Sequence, residues 1–464
     1  MARFSLAEIA AITGGELHGD GDIAVEIYRF DSRLVDTPNT LFIAVPGAQR
    51  DGHDFIDAAV TNGAQAALTR HGLHAPDVAY VAVSDTFHAL HALAVAARER
   101  INPKRVAITG SVGKTTVKDL TAAACRTAFR VHAAKGSENN ELGVPLTVLS
   151  MPDDTDILVS EIGARHTGDI AALAPLVAPH VSVVTAVAPV HLEIFGSIEA
   201  IAHAKAELVD VLDAQGTAVL NMDDPRVAAM AARAAHVLEV CPSTQRGDVY
   251  ATDVSLDALS RVRATVVTPW GVAPLQLNLP GRHHLANALF AVGVAGLFGA
   301  DVQEAAKALG EAKTSPWRSE LHDIDGVLVV NDAYNANPMS MRAALDSLAA
   351  LAISGRRIAV LGMMAEIGDT AEAEHRALGE YAATQHVDVL MCVGDQATPI
   401  ADGAKHAGIK TVIQCATSHE AAATLSSLTK KGDAVVVKAS RSAGLETIVT
   451  MLRDSSTRTG RTTT

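Results

Sequence analysis

Apolar residues along this chain recur in short unbroken runs separated by amphipathic stretches, the pattern of buried parallel strands joined by helices. In the first hundred residues, Thr40-Leu-Phe-Ile-Ala-Val45 and Val78-Ala-Tyr-Val-Ala-Val83 read as strands, and 86–100 reads as a helix ending near Asn102-Pro103. From 104 to about 313 the rhythm is βαβ, with strands expected at Asp156-Ile-Leu-Val-Ser-Glu161, Val181-Ser-Val-Val-Thr-Ala-Val187 and Thr217-Ala-Val-Leu-Asn221, and helices at 198–212 and 285–298. A polar, β-rich stretch at 249–279 breaks that rhythm and is expected to add an antiparallel layer. Beyond Thr314-Ser-Pro316, the runs Gly326–Val330, Arg357–Leu361, Val389–Val393 and Ala434–Lys438 give a further alternating set. The pattern predicts an α/β protein of three domains, 1–100, 101–314 and 315–464, with a disordered tail from Asp454.

Composition agrees with helix-covered sheets: 48% of the 464 residues are apolar but only 3% aromatic, so the cores are built from Ala, Val and Leu. A formal charge of −14 without Lys/Arg runs excludes a nucleic-acid grip, which needs a basic field. No apolar run approaches the ~18 residues that span a bilayer, and the start MARFSLAEIAAITGG lacks a signal-peptide pattern. A cytoplasmic monomer is expected. Cys125, Cys241, Cys392 and Cys415 have no metal-binding or redox spacing and read as buried small apolar residues.

The candidate chemistry begins at Arg105-Val-Ala-Ile-Thr109, a strand that runs through Gly110, Ser111, Val112 and Gly113 into a helix opening with Lys114, Thr115 and Thr116. Two glycines let the backbone approach anionic oxygens, the amides at the helix start point outward, and Lys114 can reach terminal phosphates while Thr115 puts its hydroxyl on Mg²⁺. The strict P-loop has glycine where this chain has Ile108, so the loop is the compact form Thr-Gly-x-x-Gly-Lys-Thr. Glu161, at the end of a buried strand before Ile162-Gly163, is a candidate metal carboxylate, or else a helix cap or partner of Arg165. His191, after a second strand, is a ligand or a structural histidine. Lys205 on its helix reads as a solvated lysine pairing with a nearby Glu unless other residues say otherwise.

Taken together, these pieces resemble the Mur ligases, which add amino acids to a peptidoglycan precursor using ATP. The resemblance covers nearly the whole chain: the loop 109–116, Asn139-Asn140-Glu-Leu-Gly-Val-Pro145, Glu161-Ile-Gly163, His191-Leu-Glu-x-Phe-Gly-Ser197, Ala204-Lys205-Ala-Glu207 and Gly281-Arg-His-His-Leu-Ala-Asn287 occur in family order. It implies a central P-loop ATPase domain with a parallel sheet, an N-terminal domain binding the UDP end of the substrate and a Rossmann-like C-terminal domain. Asn331-Asp332-Ala-Tyr334-Asn335-Ala-Asn337-Pro338-x-Ser340 resembles the signature of the member that joins D-alanyl-D-alanine to UDP-N-acetylmuramoyl-tripeptide, as do Gly362-Met-Met-Ala-Glu366-Ile-Gly368 and Val437-Lys438-Ala-Ser440-Arg441. Ala439 stands where that member more usually has Gly, His284 where many relatives have Asn, and Trp317 where Gly often precedes Arg318.

The resemblance implies a role for each position. Gly110 to Thr116, Asn287, Arg318 and Asp332 are expected to hold the nucleotide. Ser32, Arg33, Asn139, Asn140, Tyr334, Asn335, Asn337, Lys438, Ser440 and Arg441 are expected to bind substrate. Thr115, Glu161, His191 and a carbamylated Lys205 are expected to hold Mg²⁺, with Lys114, Glu161, His191 and Lys205 catalytic. His284 is expected to contact adenine or to cap its helix. A folate-polyglutamylating ligase shares the loop but not Tyr334–Pro338, and a hydrolysing switch or motor would show the strict loop.

Overall fold

A computed structural model describes residues 2–47, 50–72 and 77–459. Two compact units emerge: one comprises Met1–Ala107, Phe129–Gly163 and Ala171–His180, the other Ile108–Ala128, Ala164–Ile170 and Val181–Thr464. Tail residues 460–464 lie outside the described residues. The final helix, Glu446–Thr459, continues through the Asp454 segment expected to be disordered. Its apolar residues Ile448, Val449 and Leu452 are anchored in a core, and once a helix is nucleated each further residue adds a bond at little cost.

In the first unit a five-stranded sheet runs in the order Glu16–His18, Ala79–Val83, Ala66–Arg70, Thr40–Ile43, Ile27–Arg29, parallel except for its first pair. The same unit holds a parallel pair, Val131–Ala133 with Ile157–Glu161. Every residue of Ile157–Glu161 is buried, including its terminal carboxylate.

The second unit carries two sheets. Val181–Val184, Thr217–Asn221, His236–Cys241 and Val249–Leu256 lie parallel in that order. Arg261–Thr268 and Gly271–Pro280 then add on as antiparallel strands. The β-rich stretch is therefore not a separate layer but an antiparallel extension of the parallel sheet. Its alternating burial explains the polar reading, because one face packs inward and the other meets solvent.

The remaining sheet orders Glu320–Ile324, Val327–Asn331, Ala434–Lys438, Arg357–Leu361, Val389–Val393 and Thr411–Cys415, parallel after its first antiparallel pair. Alternate residues feed two cores. Ile358, Val360, Val435 and Val437 pack with Leu425, Ile448 and Val449 on one face, while Ala359, Leu361, Ala434 and Val436 pack with Met341, Leu345 and Leu378 on the other. Helices on both faces leave neither wet, which is why these strands read as continuous apolar runs. With the five-stranded sheet and the central sheet, this gives the expected three-domain α/β architecture.

All four cysteines are buried and free. Burial pushes the Cys125 and Cys392 thiols up to about 12, so neither is a nucleophile. Leu345 is fully buried in the third-domain core; Leu345→Ala should cost about 2–5 kcal/mol, read as a lower urea midpoint.

Candidate active site

The glycine loop is braced by hydrogen bonds to the segment after the strand Val181–Val184. Ser111 N–H donates to the Ala186 carbonyl at 2.8 Å, its hydroxyl donates to the Ala188 carbonyl at 3.0 Å, and Ala188 N–H donates back to that hydroxyl at 2.9 Å. Gly110 has φ +143° and Gly113 φ +84°. A Cβ on Gly110 would lie 2.0 Å from Thr185 Oγ1, and one on Gly113 2.8 Å from Asn287 Oδ1, so glycine is required at both for backbone angle and space. The helix Lys114–Cys125 follows directly, presenting its N-terminal amides, and Lys114 Nζ donates to the Gly110 carbonyl at 2.8 Å. The expected cradle, Gly110, Ser111, Val112, Gly113, Lys114, Thr115 and Thr116, forms as one structure, with Asn287 beside it.

His284, the first residue of the helix His284–Leu297, is not its cap: His283 holds that position and makes no side-chain cap bond. Instead His284 is buried, its Nδ1 3.2 Å from Asn287 Nδ2 and its Nε2 without a hydrogen-bond partner. Burial, then the neighbouring His283, holds the imidazole neutral, well below its usual range. Cap chemistry needs a partly exposed oxygen near free amides, and a buried ring offers none.

In the same unit Lys205 is 2% exposed, its Nζ 5.8 Å from the Phe195 ring centroid. Desolvation, then repulsion from Lys114, lowers its pKa to about 7, so the reading of a solvated, ion-paired lysine fails. Glu207, two residues on, accepts Gly168 N–H at 2.6 Å and, with Asp169, pulls the Lys205 pKa the other way. His191 sits at φ +53° before the short helix Leu192–Phe195, and burial lowers its pKa against the opposing pull of Glu366. Glu366 bonds His191 Nδ1 with one oxygen and Arg165 with the other. Glu366 carries no role in the sequence motif that contains it; its place in the short segment after the strand Arg357–Leu361 was the available signal.

Glu161 belongs to the first unit. Its Oε1 accepts Asn139 Nδ2 at 2.6 Å and Ser137 Oγ at 2.9 Å, while its Oε2 is buried without a hydrogen-bond partner. A buried anionic oxygen left unmatched is costly unless a cation meets it, so this carboxylate fits a metal better than a cap. Arg165, its alternative partner by sequence, pairs with Glu366. Asn139 thus orients Glu161, and Asn140 Oδ1 accepts Gly143 N–H at 2.9 Å. Among the described residues no group of three or more His, Cys, Asp or Glu is gathered to hold a metal. Ser32 is buried, its carbonyl accepting Asn62 Nδ2 at 2.8 Å, and Arg33 projects into solvent paired with Asp31 at 2.6 Å.

The third-domain residues cluster tightly. Lys438 Nζ lies 2.6 Å from Asp332 Oδ2 and donates to the Asn335 carbonyl at 2.8 Å, and Asp332 Oδ1 accepts Ser319 N–H at 3.1 Å. Arg318 lies 4.0 Å over the Tyr334 ring, its Nε buried without a hydrogen-bond partner. Trp317 takes a left-handed φ of +61°, a conformation that favours the glycine expected there by resemblance, and Arg441 covers its ring at 4.3 Å. Asn337 and Ser340 form a capping box on the helix Pro338–Ala349. Ser440 Oγ accepts Ala365 N–H at 2.9 Å. The Ala439 methyl fits because Gly362 faces it: a Cβ there would come within 2.8 Å.

In the second unit, a glycine loop opening onto a helix N-terminus and a buried amine near neutrality are the features of a nucleotide-dependent α/β enzyme. Three family descriptions match in sequence: "Mur ligase family, catalytic domain" over residues 25–107, "Mur ligase middle domain" over 108–295 and "Mur ligase, glutamate ligase domain" over 317–441. The chain is 38% identical to the UDP-N-acetylmuramoyl-tripeptide--D-alanyl-D-alanine ligase of Mycobacterium tuberculosis H37Rv, covering 97% of this chain and 98% of that protein. The crystal structure of MurF from Acinetobacter baumannii superposes with a TM-score of 0.87 at 28% identity, covering 98% of this chain and 99% of that one. MurF from Thermotoga maritima in complex with ADP gives 0.80 at 28% identity, covering 94% and 98%. The chain belongs to the Mur ligase family.

Gly110→Ala should leave the fold intact but strain the loop by about 1–3 kcal/mol, weakening ATP binding roughly tenfold or more by titration calorimetry. An unchanged Kd would show that Thr185 yields at no cost.

Proposed function

We propose that this chain joins D-alanyl-D-alanine to the terminal carboxylate of UDP-N-acetylmuramoyl-tripeptide at the expense of ATP, giving the pentapeptide precursor of peptidoglycan. End-to-end likeness to the ligases named above carries this reading, supported by the phosphate loop and the Tyr334–Pro338 signature. The product feeds wall growth, and through it cell shape and division. Among the described residues no helix is long and apolar enough to cross a membrane.

The tripeptide carboxylate attacks the γ-phosphorus, an oxygen–phosphorus bond forms and ADP leaves. The dipeptide amine then attacks the acyl phosphate carbon, and inorganic phosphate departs as the amide forms. Lys114 and the loop amides stabilise the charge on the transferring phosphoryl group. Arg318, with its unpartnered Nε, and Asp332 reach the nucleotide from the third domain, while Asn287 flanks it. Ser32 and Arg33 serve the UDP end. Tyr334, Asn335, Asn337, Lys438, Ser440 and Arg441 line the dipeptide side, with Asn337 and Lys438 shaping the backbone there. Asn139 and Asn140 order the segment around Glu161.

Thr115, Glu161, His191 and a carbamylated Lys205 are the proposed ligands of Mg²⁺, which when bound supplies positive charge between two reacting anions. Lys205 suits carbamylation because only a neutral amine attacks CO₂, forming an N–C bond and releasing a proton. With a pKa of about 7, half of the amine is neutral at pH 7, against about one part in three thousand for an ordinary lysine. The carbamate supplies the carboxylate-like oxygens that clustered acidic side chains would otherwise provide.

Phosphate release from ATP should require both the tripeptide and the dipeptide; release with either alone sinks the ligase reading. Lys205→Ala should lose at least about a hundredfold in kcat, partly restored by short carboxylic acids; a fully active variant removes Lys205 from the site. In wild type at limiting bicarbonate, activity should fall about tenfold per unit as pH drops below about 7, because protonation removes the reactive amine. A flat profile between pH 5.5 and 7 would contradict carbamylation.

A further inference from the structure

We propose that Glu366 is the positioning residue of His191: a third-domain carboxylate that fixes the imidazole proton on Nδ1 and leaves the Nε2 lone pair free for a metal ion. This rests on the reading of His191 as a metal ligand. Oε2 of Glu366 meets His191 Nδ1, and Oε1 meets the Arg165 guanidinium, so the carboxylate is held at both ends. A carboxylate only accepts, so the proton of this bond must sit on Nδ1 and the neutral ring's remaining lone pair on Nε2. Carboxylate–histidine–metal relays work this way: the outer acid selects the tautomer, orients the ring and raises its basicity.

Both partners are non-glycine residues in the left-handed region, His191 at φ +53° and Glu366 at φ +61°. Such backbone costs of order 1–3 kcal/mol each and persists only where surrounding contacts impose it. The loop bearing Glu366 packs beside the segment after His191, since a Cβ on Gly368 would lie in ordinary contact, 3.4 Å, with the Glu193 backbone. An incidental surface pair would not need two strained residues brought together from different domains. The consequence is that the third domain does more than deliver Arg318 and Asp332: its docking sets the orientation of a ligand carried by the central domain.

The test uses the full chain with a non-hydrolysable ATP analogue and Mn²⁺, read by electron paramagnetic resonance. Glu366→Ala should weaken Mn²⁺ binding about 10–100-fold, with Glu366→Gln intermediate because its amide oxygen can still accept from Nδ1. Metal-free nucleotide affinity in EDTA should stay unchanged, which also reports correct folding; if the alanine variant does not fold, the glutamine variant carries the test. In a His191→Ala background, Glu366→Ala should add nothing. Mn²⁺ affinity within twofold of wild type in Glu366→Ala, or a full additional loss in the double variant, overturns the proposal. If His191→Ala alone leaves Mn²⁺ binding unchanged, the ligand assignment itself falls, an outcome distinguishable from a failure of Glu366 alone.

Discussion

The burial of the Lys205 amine in the second unit is the constraint on which the chemistry of that unit depends. Lys114 is fixed at the start of a helix by the demands of a phosphate cradle, and Lys205 is buried within its electrostatic reach. Burial and like charge act in the same direction, so the Lys205 ammonium cannot be kept at ordinary cost. Glu207 and Asp169 pull the other way without offsetting that burial, so a helix that buries this lysine is a poor structural choice. It becomes a sensible one when the neutral amine is the useful species.

Within each unit, the acids named above are divided between partners rather than clustered. Glu161 spends one oxygen on Asn139 and Ser137 and keeps the other bare, Glu207 spends one on Gly168, and Glu366 splits its two between His191 and Arg165. The third-domain residues follow the same economy of charge, with Lys438 against Asp332 and Arg318 and Arg441 over aromatic faces. The left-handed residues Trp317, Ser319 and Glu366 are concentrated in segments that carry or aim these groups. Strain is tolerated there because aromatic stacking and ion pairs fix the backbone.

Much of this was legible in the residues. The glycine loop, the strand ends carrying Glu161 and His191 and the two cores of the third domain follow from local periodicity and turn chemistry. Other features depended on distant partners. The stretch 249–279 could be seen to be β-rich, but that it extends the parallel sheet is decided by the pairing of Val240 with Val249. The Ser and Thr after Leu452 suggest disorder until the apolar face before them is seen docked. The side chains of Asn139, Asn140 and Asn337 hold Glu161, Gly143 and a helix start, contacts that residue type alone does not reveal.

The sequence by itself determined the fold class, the phosphate loop, the family and the identity of the charged groups, because each rests on residue type and spacing within a few turns or strands. Only the tertiary structure decided the state and partners of those groups. The burial of Lys205, the bare oxygen of Glu161 and the contact between His191 and Glu366 all depend on residues far away in the chain, 175 positions away for Glu366 and His191. Protonation and orientation are properties of an environment, and a linear string of residues contains the groups but not their surroundings.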